Sequence, residues 1–175
     1  MSVETKFISR ELNDLLWREG FSLSTAESCT AGNVAASITA IPGSSQFYKG
    51  GVVGYSVEVK EQMLGVSHET IEKYGVVSEE TVIEMAKGAM KTLKTDYAIA
   101  TTGIAGPGGG TPEVPIGTIW IAAANADKVV TKKLEGDEGR ERNVLNAVCE
   151  VLHLLLDFLK ENCKDNDSQH KNNVQ

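Results

Sequence analysis

The stretch 21-FSLSTAESCTAGNVAASIT-39 decides how this chain folds. Its first part, FSLSTAE, reads as a strand. From Ser28 onward it reads as a helix of small residues, ended by 41-IPGSS-45. A strand that runs directly into a helix is the building unit of an α/β sheet. Ser28 stands at the junction and has two readings. Its oxygen can cap the helix, since serine is among the preferred N-cap residues. Alternatively, the hydroxyl is displayed at the carboxyl end of a sheet, where the free N–H groups of the first helical turn can hold a developing oxyanion. The small residues Ala31 and Gly32 would let a substrate approach those amides.

Upstream, 7-FISRELNDLLWREG-20 carries apolar residues at helical spacing, with Gly20 at the C-cap position. Downstream, 50-GGVVGYS-56 is a short β-rich run, and Ser56 is placed to cap a helix that carries Glu58 and Glu61 and ends at Gly65. Two further helices are expected at 68-HETIEKYG-75 and, after Ser78, at 79-EETVIEMAKGAMKTL-93, whose acidic first turn suits the helix dipole. The period then changes. The segments 96-DYAIATTG-103, 117-GTIWIAAAN-125 and 128-KVVTKKLEG-136 are strand candidates, and 142-RNVLNAVCEVLHLLLDFLKEN-162 closes the fold as a helix that is apolar round much of its circumference. This order predicts one domain over 1–162, a three-layer α/β/α sandwich on a mixed sheet whose late strands pair antiparallel. Residues 163–175 are expected to form a disordered tail.

Composition narrows the function. The chain has 175 residues, enough for one core without covalent staples. Its three cysteines, Cys29, Cys149 and Cys163, form no CxxC pair, so neither a disulfide framework nor a zinc knuckle is implied. A formal charge of -7 argues against a nucleic-acid partner. The start of the chain lacks the pattern of a secretory signal, and the run 151-VLHLLLDFL-159 is too short and too interrupted to span a bilayer, so a cytoplasmic protein without a membrane partner is expected.

If Ser28 is a nucleophile it needs a base. His68, His153 and His170 lie after a turn, in an apolar helix and in the tail, and the GxSxG elbow is missing, so a Ser-His-Asp triad does not fit. Lys60 does. It falls in the first turns of the helix that follows the second strand, and helical side chains lean back toward the N-terminus, here toward the sheet edge that carries Ser28. The positive helix end and burial would both lower its pKa, and a neutral lysine can accept a serine proton. The alternative is a solvated lysine paired with Glu58 or Glu61. Tyr55, at the strand terminus, can relay or orient a proton, or simply be an amphipathic core tyrosine. The loop 101-TTGIAGPGGGTPEVPIGT-118 is neither a P-loop nor a dinucleotide fingerprint. It is either a flexible turn or, through Thr102, Gly103, Ala105 and Gly106, a surface of hydroxyls and approachable amides that wraps a sugar or phosphate.

In order and spacing, 25-TAESCTAG-32, 42-PGSSQFYKGGVVGYSVEVK-60, 64-LGV-66, 74-YGVVSEETVIEMAKGA-89 and 101-TTGIAGPGGGTPEVPIGTIWIA-122 resemble the CinA C-terminal family. The resemblance runs from Leu12 to Leu159 and is that of a stand-alone form without the larger members' N-terminal domain. It implies a nicotinamide mononucleotide amidohydrolase that releases nicotinic acid mononucleotide and ammonia, uses a serine and a lysine, needs no metal or other cofactor, and assembles as a homo-oligomer. Carried onto this chain, the catalytic set is Ser28, Lys60 and Tyr55. The amides of Cys29 and Thr30 hold the oxyanion, the glycine loop meets the substrate, and Arg142, at the family's arginine position, takes the phosphate. Three positions depart from the family pattern: Val57 replaces an asparagine, Glu138 an arginine, and Ala31 a glycine. The first two losses keep open a second reading, a nucleotide-binding or regulatory module without turnover.

Overall fold

The structure, a computed structural model, describes residues 2–172, with side chains described through Cys163. Helix α1 (Val3–Glu19) starts at Ser2, whose hydroxyl accepts from Thr5 N, and stops at the left-handed Gly20. Strand β1 (Leu23–Glu27) follows and is buried along its whole length. Then come α2 (Asn33–Thr39), a 3-10 turn (Ser44–Gln46) and β2 (Tyr48–Val53), followed by α3 (Val57–Leu64), α4 (His68–Tyr74) and α5 (Glu79–Leu93). Strands β3 (Tyr97–Gly103), β4 (Ile119–Ala124) and β5 (Val129–Leu134) lead to the closing helix α6 (Arg140–Asn172). Apart from Cys163 and this helical backbone, the tail expected over 163–175 lies outside the described residues.

The sheet order is β2-β1-β3-β4-β5. β1 pairs parallel with both β2 and β3, while β3–β4 and β4–β5 are antiparallel, so the sheet is mixed as the sequence predicts. Side-chain alternation gives its two faces different textures. Leu23, Ile99, Ile119 and Ile121 face a core shared with Leu12 and Leu16 of α1, Val34 and Ile38 of α2, and Leu152, Leu155 and Leu159 of α6. The opposite face presents Ala26, Ala98, Ala100, Ala122 and Ala124 to Val82, Met85, Ala86 and Ala89 of α5 and Leu64 of α3. A face of alanines admits a helix close to the sheet, and α3 crosses α5 just as closely. A Cβ built on Gly88 would lie 1.7 Å from the carbonyl oxygen of Leu64. The result is three layers, helix, sheet and helix.

Chain direction places the functional edge. The path leaving β1 turns to one face, toward α2, and the path leaving β2 turns to the other, toward α3. Between strands whose connections diverge in this way a crevice opens at the carboxyl ends of the strands, the usual ligand position in open α/β sheets. No helix among the described residues is long and apolar enough to cross a membrane.

Candidate active site

Ser28 follows β1 directly, and its amide donates to Thr101 O at 3.0 Å, which locks the turn against β3. The expected helix start at Ser28 is not observed: α2 begins five residues later, with Gly32 as its N-cap. The intervening turn needs positive φ at Ala31 (50°) and Gly32 (93°). Ser28 is therefore not the cap. The capping acceptor is Glu27, which is 1% exposed. Its Oε2 accepts from Gly32 N (2.9 Å), Val34 N (3.0 Å) and Thr30 Oγ1 (2.7 Å), and its Oε1 from Ala35 N (2.8 Å). A carboxylate buried at a helix N-terminus with four donors is well compensated by both hydrogen bonds and dipole. It also consumes the amides of Gly32, Val34 and Ala35, so the first turn of α2 has none of these left for an oxyanion. The amides of Cys29 and Thr30 stay outside the turn's own hydrogen bonds, which run from Ala31 N to Ser28 O and from Asn33 N to Thr30 O.

Lys60 reaches this turn from the other side of the crevice. Ser56 caps α3 by accepting from Val59 N, so Lys60 sits in the first turns and its stem leans back over Gly54. A Cβ on Gly54 would come within 3.4 Å of Lys60 Cγ, so glycine there lets the stem pass close to the backbone. Lys60 Nζ lies 3.0 Å from Ser28 Oγ, 2.6 Å from Gly54 O and 3.5 Å from Tyr55 O. The residue is 2% exposed, and no carboxylate among the described residues pairs with it. Burial lowers its pKa below the usual 10.5. The solvated lysine paired with Glu58 or Glu61 is thus not what forms: Glu58 bonds Gln62 and Glu61 bonds His68. Cys29 is also buried, and desolvation pushes its thiol up to about 12, so it is no thiolate at neutral pH.

These groups open on a cleft of about 340 Å³ lined, among others, by Ser28, Cys29, Tyr55, Val57, Lys60 and Arg140. Thr102, Gly103, Ala105 and Gly106 of the glycine loop form its far wall. Thr102 Oγ1 donates to Val76 O at 2.7 Å, which leaves its lone pairs and the loop amides as the polar lining there. Tyr55 is 60% exposed, not a core tyrosine, and its phenol meets Arg140 Nη2 at 3.3 Å; only its carbonyl touches Lys60. Thr30 lies beneath the site, spent on Glu27 and Thr101 Oγ1, and its side chain does not line the cleft.

Arg142 is exposed and does not line the cleft; Arg140 does, donating to Gly106 O at 2.7 Å. Residues two positions apart on a helix are separated by about 200° around its axis, so only one of Arg140 and Arg142 can face the crevice. Asn143, one turn in, is the anchor that sequence reading missed. Its amide donates to Ala105 O and Asp137 Oδ1 and accepts from Glu138 N, tying the glycine loop to the start of α6. A buried polar residue opening an apolar helix is the signal that could have found it, as a lone carboxylate ending a buried strand could have found Glu27.

The family model of the CinA C-terminal domain matches residues 5–159. The chain belongs to the CinA C-terminal domain family. It is 46% identical over 151 residues to a CinA-like protein of Amoebophilus asiaticus, covering 86% of this chain and 36% of that one. The chain thus spans about a third of the length of the curated relatives it matches. Among solved structures, the competence/damage inducible protein CihA of Agrobacterium tumefaciens superposes with a TM-score of 0.88 at 37% identity, covering 91% of this chain and 99% of that one. The competence damage-inducible protein A (ComA) of Klebsiella pneumoniae gives 0.86 at 38%, covering 89% and 97%. The two positions at which the sequence resemblance led us to expect other residues are placed differently. Val57 lines the cleft, whereas Glu138 does not and accepts from Asn146 Nδ2.

Proposed function

We propose that this CinA domain is an amidohydrolase that converts nicotinamide mononucleotide to nicotinic acid mononucleotide and ammonia through a serine ester. The observation that carries the reading is the buried Lys60 amine 3.0 Å from Ser28 Oγ, with no carboxylate among the described residues to hold it charged. A neutral amine has two N–H bonds and one lone pair. Gly54 O and Tyr55 O accept the N–H bonds, which leaves the lone pair to accept from Ser28 O–H.

The chemistry follows. Lys60 takes the Ser28 proton as Oγ attacks the carboxamide carbon, and the C=O electron pair moves onto oxygen, held by the amide of Cys29, while Thr30, buried beneath the cleft, cannot reach it. The tetrahedral intermediate collapses, the C–N bond breaks, and the Lys60 ammonium protonates the departing nitrogen to release ammonia. Water, deprotonated by the same lysine, attacks the ester. Oγ leaves with the proton, and the free carboxylic acid ionises. The substrate phosphate, with about two negative charges at neutral pH, falls to Arg140 and the loop amides rather than to Arg142. One observation favours the second reading, a nucleotide-binding module without turnover: Val57 puts an isopropyl group in the cleft where the family places an amide.

Incubation of the purified chain with nicotinamide mononucleotide, with assays of ammonia and of direct binding, separates the two. Stoichiometric burst and turnover support the amidase. Binding without ammonia supports the module, and neither binding nor ammonia removes both.

A further inference from the structure

The packed pair α1 and α6 brings together three metal-ligating side chains that the reaction does not use. Glu4 stands in the first turn of α1, and Cys149 and His153 stand four residues apart on α6, hence on one helix face. Their ligand atoms all lie within 4.8 Å of one another, and His153 Nε2 is 3.3 Å from Glu4 Oε1. Cys149 is nine residues along the helix from Arg140, about 13 Å down its axis, so this cluster is separate from the cleft.

We propose that Glu4, Cys149 and His153 bind a divalent ion of the zinc class, which clamps the first turn of α1 to α6 and keeps one coordination position for water. One thiolate, one imidazole and one carboxylate are a borderline-soft set that suits zinc and discriminates against magnesium and calcium. A tetrahedral set with bonds of about 2.0–2.3 Å requires ligand separations of about 3.3–3.8 Å. Glu4, whose side chain is 68% exposed, is free to change rotamer toward that spacing, and Cys149 and His153, one helical turn apart, can approach by side-chain rotation. Room for the water exists in the adjoining depression lined by Glu4, Cys149 and Asn146. The neighbouring cations are already neutralised, Lys133 by Glu135 and Lys132 by Glu150, so they do not oppose a dication. Burial, followed by the charge of Glu4, holds the Cys149 thiol protonated, so metal binding must displace its proton.

The test uses the untagged full chain stripped of metal and titrated with Co²⁺. The expected result is a thiolate-to-cobalt charge-transfer band, with the intense visible bands of four-coordinate cobalt, that saturates at one equivalent and is displaced by Zn²⁺. Zn²⁺ should also raise the Tm and release protons on binding. Cys149→Ser should abolish the charge-transfer band while Cys29→Ser and Cys163→Ser keep it. Because Glu4 is exposed, Glu4→Gln should fold normally and still weaken Co²⁺ binding at least tenfold. No band, a band that survives Cys149→Ser, or unchanged affinity in Glu4→Gln overturns the site. A bound metal that leaves the Tm unchanged overturns the clamp.

Discussion

Replacing Lys60 by methionine keeps most of the buried volume and removes the amine, and it should change both rate and stability in ways the geometry fixes. General-base catalysis contributes about 10²–10⁴ in rate, so kcat/KM for the amide should fall by about 2.7–5.4 kcal/mol of transition-state stabilisation. Lys60→Arg should not rescue, because a guanidinium stays charged. The stability effect has a sign of its own. Burial holds the folded-state pKa below 10.5, so between the folded pKa and 10.5 the unfolded chain binds a proton that the folded chain has released. Stability of the unsubstituted protein must then rise with pH across that window, by up to about 1.4 kcal/mol per pH unit, and level off above 10.5. Below the folded pKa both states are protonated and the contribution is constant. Lys60→Met lacks this dependence, and all other lysines cancel in the difference between the two proteins. Urea unfolding of both from pH 7 to 10.5 measures it. With m of about 1–3 kcal/mol/M, the gap in midpoints should move by about 0.5–1.4 M per pH unit within the window. A gap that stays flat with pH refutes the depressed lysine, and an active Lys60→Met refutes its role as base.

Ser28→Ala should abolish ammonia release while Cys29→Ser retains most of it, and Cys29 in the native protein should resist iodoacetamide at neutral pH, because its thiol is held at about 12; the reverse pattern would make the cysteine the nucleophile. Glu27→Ala strips an acceptor from three backbone amides and the Thr30 hydroxyl, and should cost about 2–4 kcal/mol in urea unfolding together with loss of activity. A change below about 0.5 kcal/mol, the range of an ordinary surface substitution, would show that the cap is not needed. Arg140→Ala should raise KM for nicotinamide mononucleotide by roughly 1.5–3 kcal/mol but leave the riboside little changed, with Arg142→Ala near neutral on both. Equal losses on nucleotide and riboside would argue against phosphate recognition.

What the sequence determined by itself is what local chemistry encodes. Periodicity and cap residues gave the order of strands and α-helices, because burial on one face or two writes a period of two or 3.6 into the chain, but not the start of α2 or the 3-10 turn at Ser44–Gln46. Gly20 and Gly65 marked their helix ends because their backbone is left-handed there, and Ser56 and Ser78 marked helix starts because their hydroxyls accept the first free amides. The approach of Lys60 toward Ser28 was also legible, since the lean of a helical side chain is a local property. Tertiary structure decided the rest. Whether Ser28 or Glu27 caps α2 depends on the turn between them: its positive φ at Ala31 and Gly32 swings the helix start away from the serine and onto the buried carboxylate. The choice between Arg140 and Arg142 depends on the rotation of α6 about its own axis. That rotation is set by packing and by Asn143 reaching Ala105, 38 residues away in the chain. The Cys29 thiol, which a helix N-terminus alone would acidify, is raised instead, because desolvation depends on what the fold puts around the sulfur and not on its neighbours in sequence.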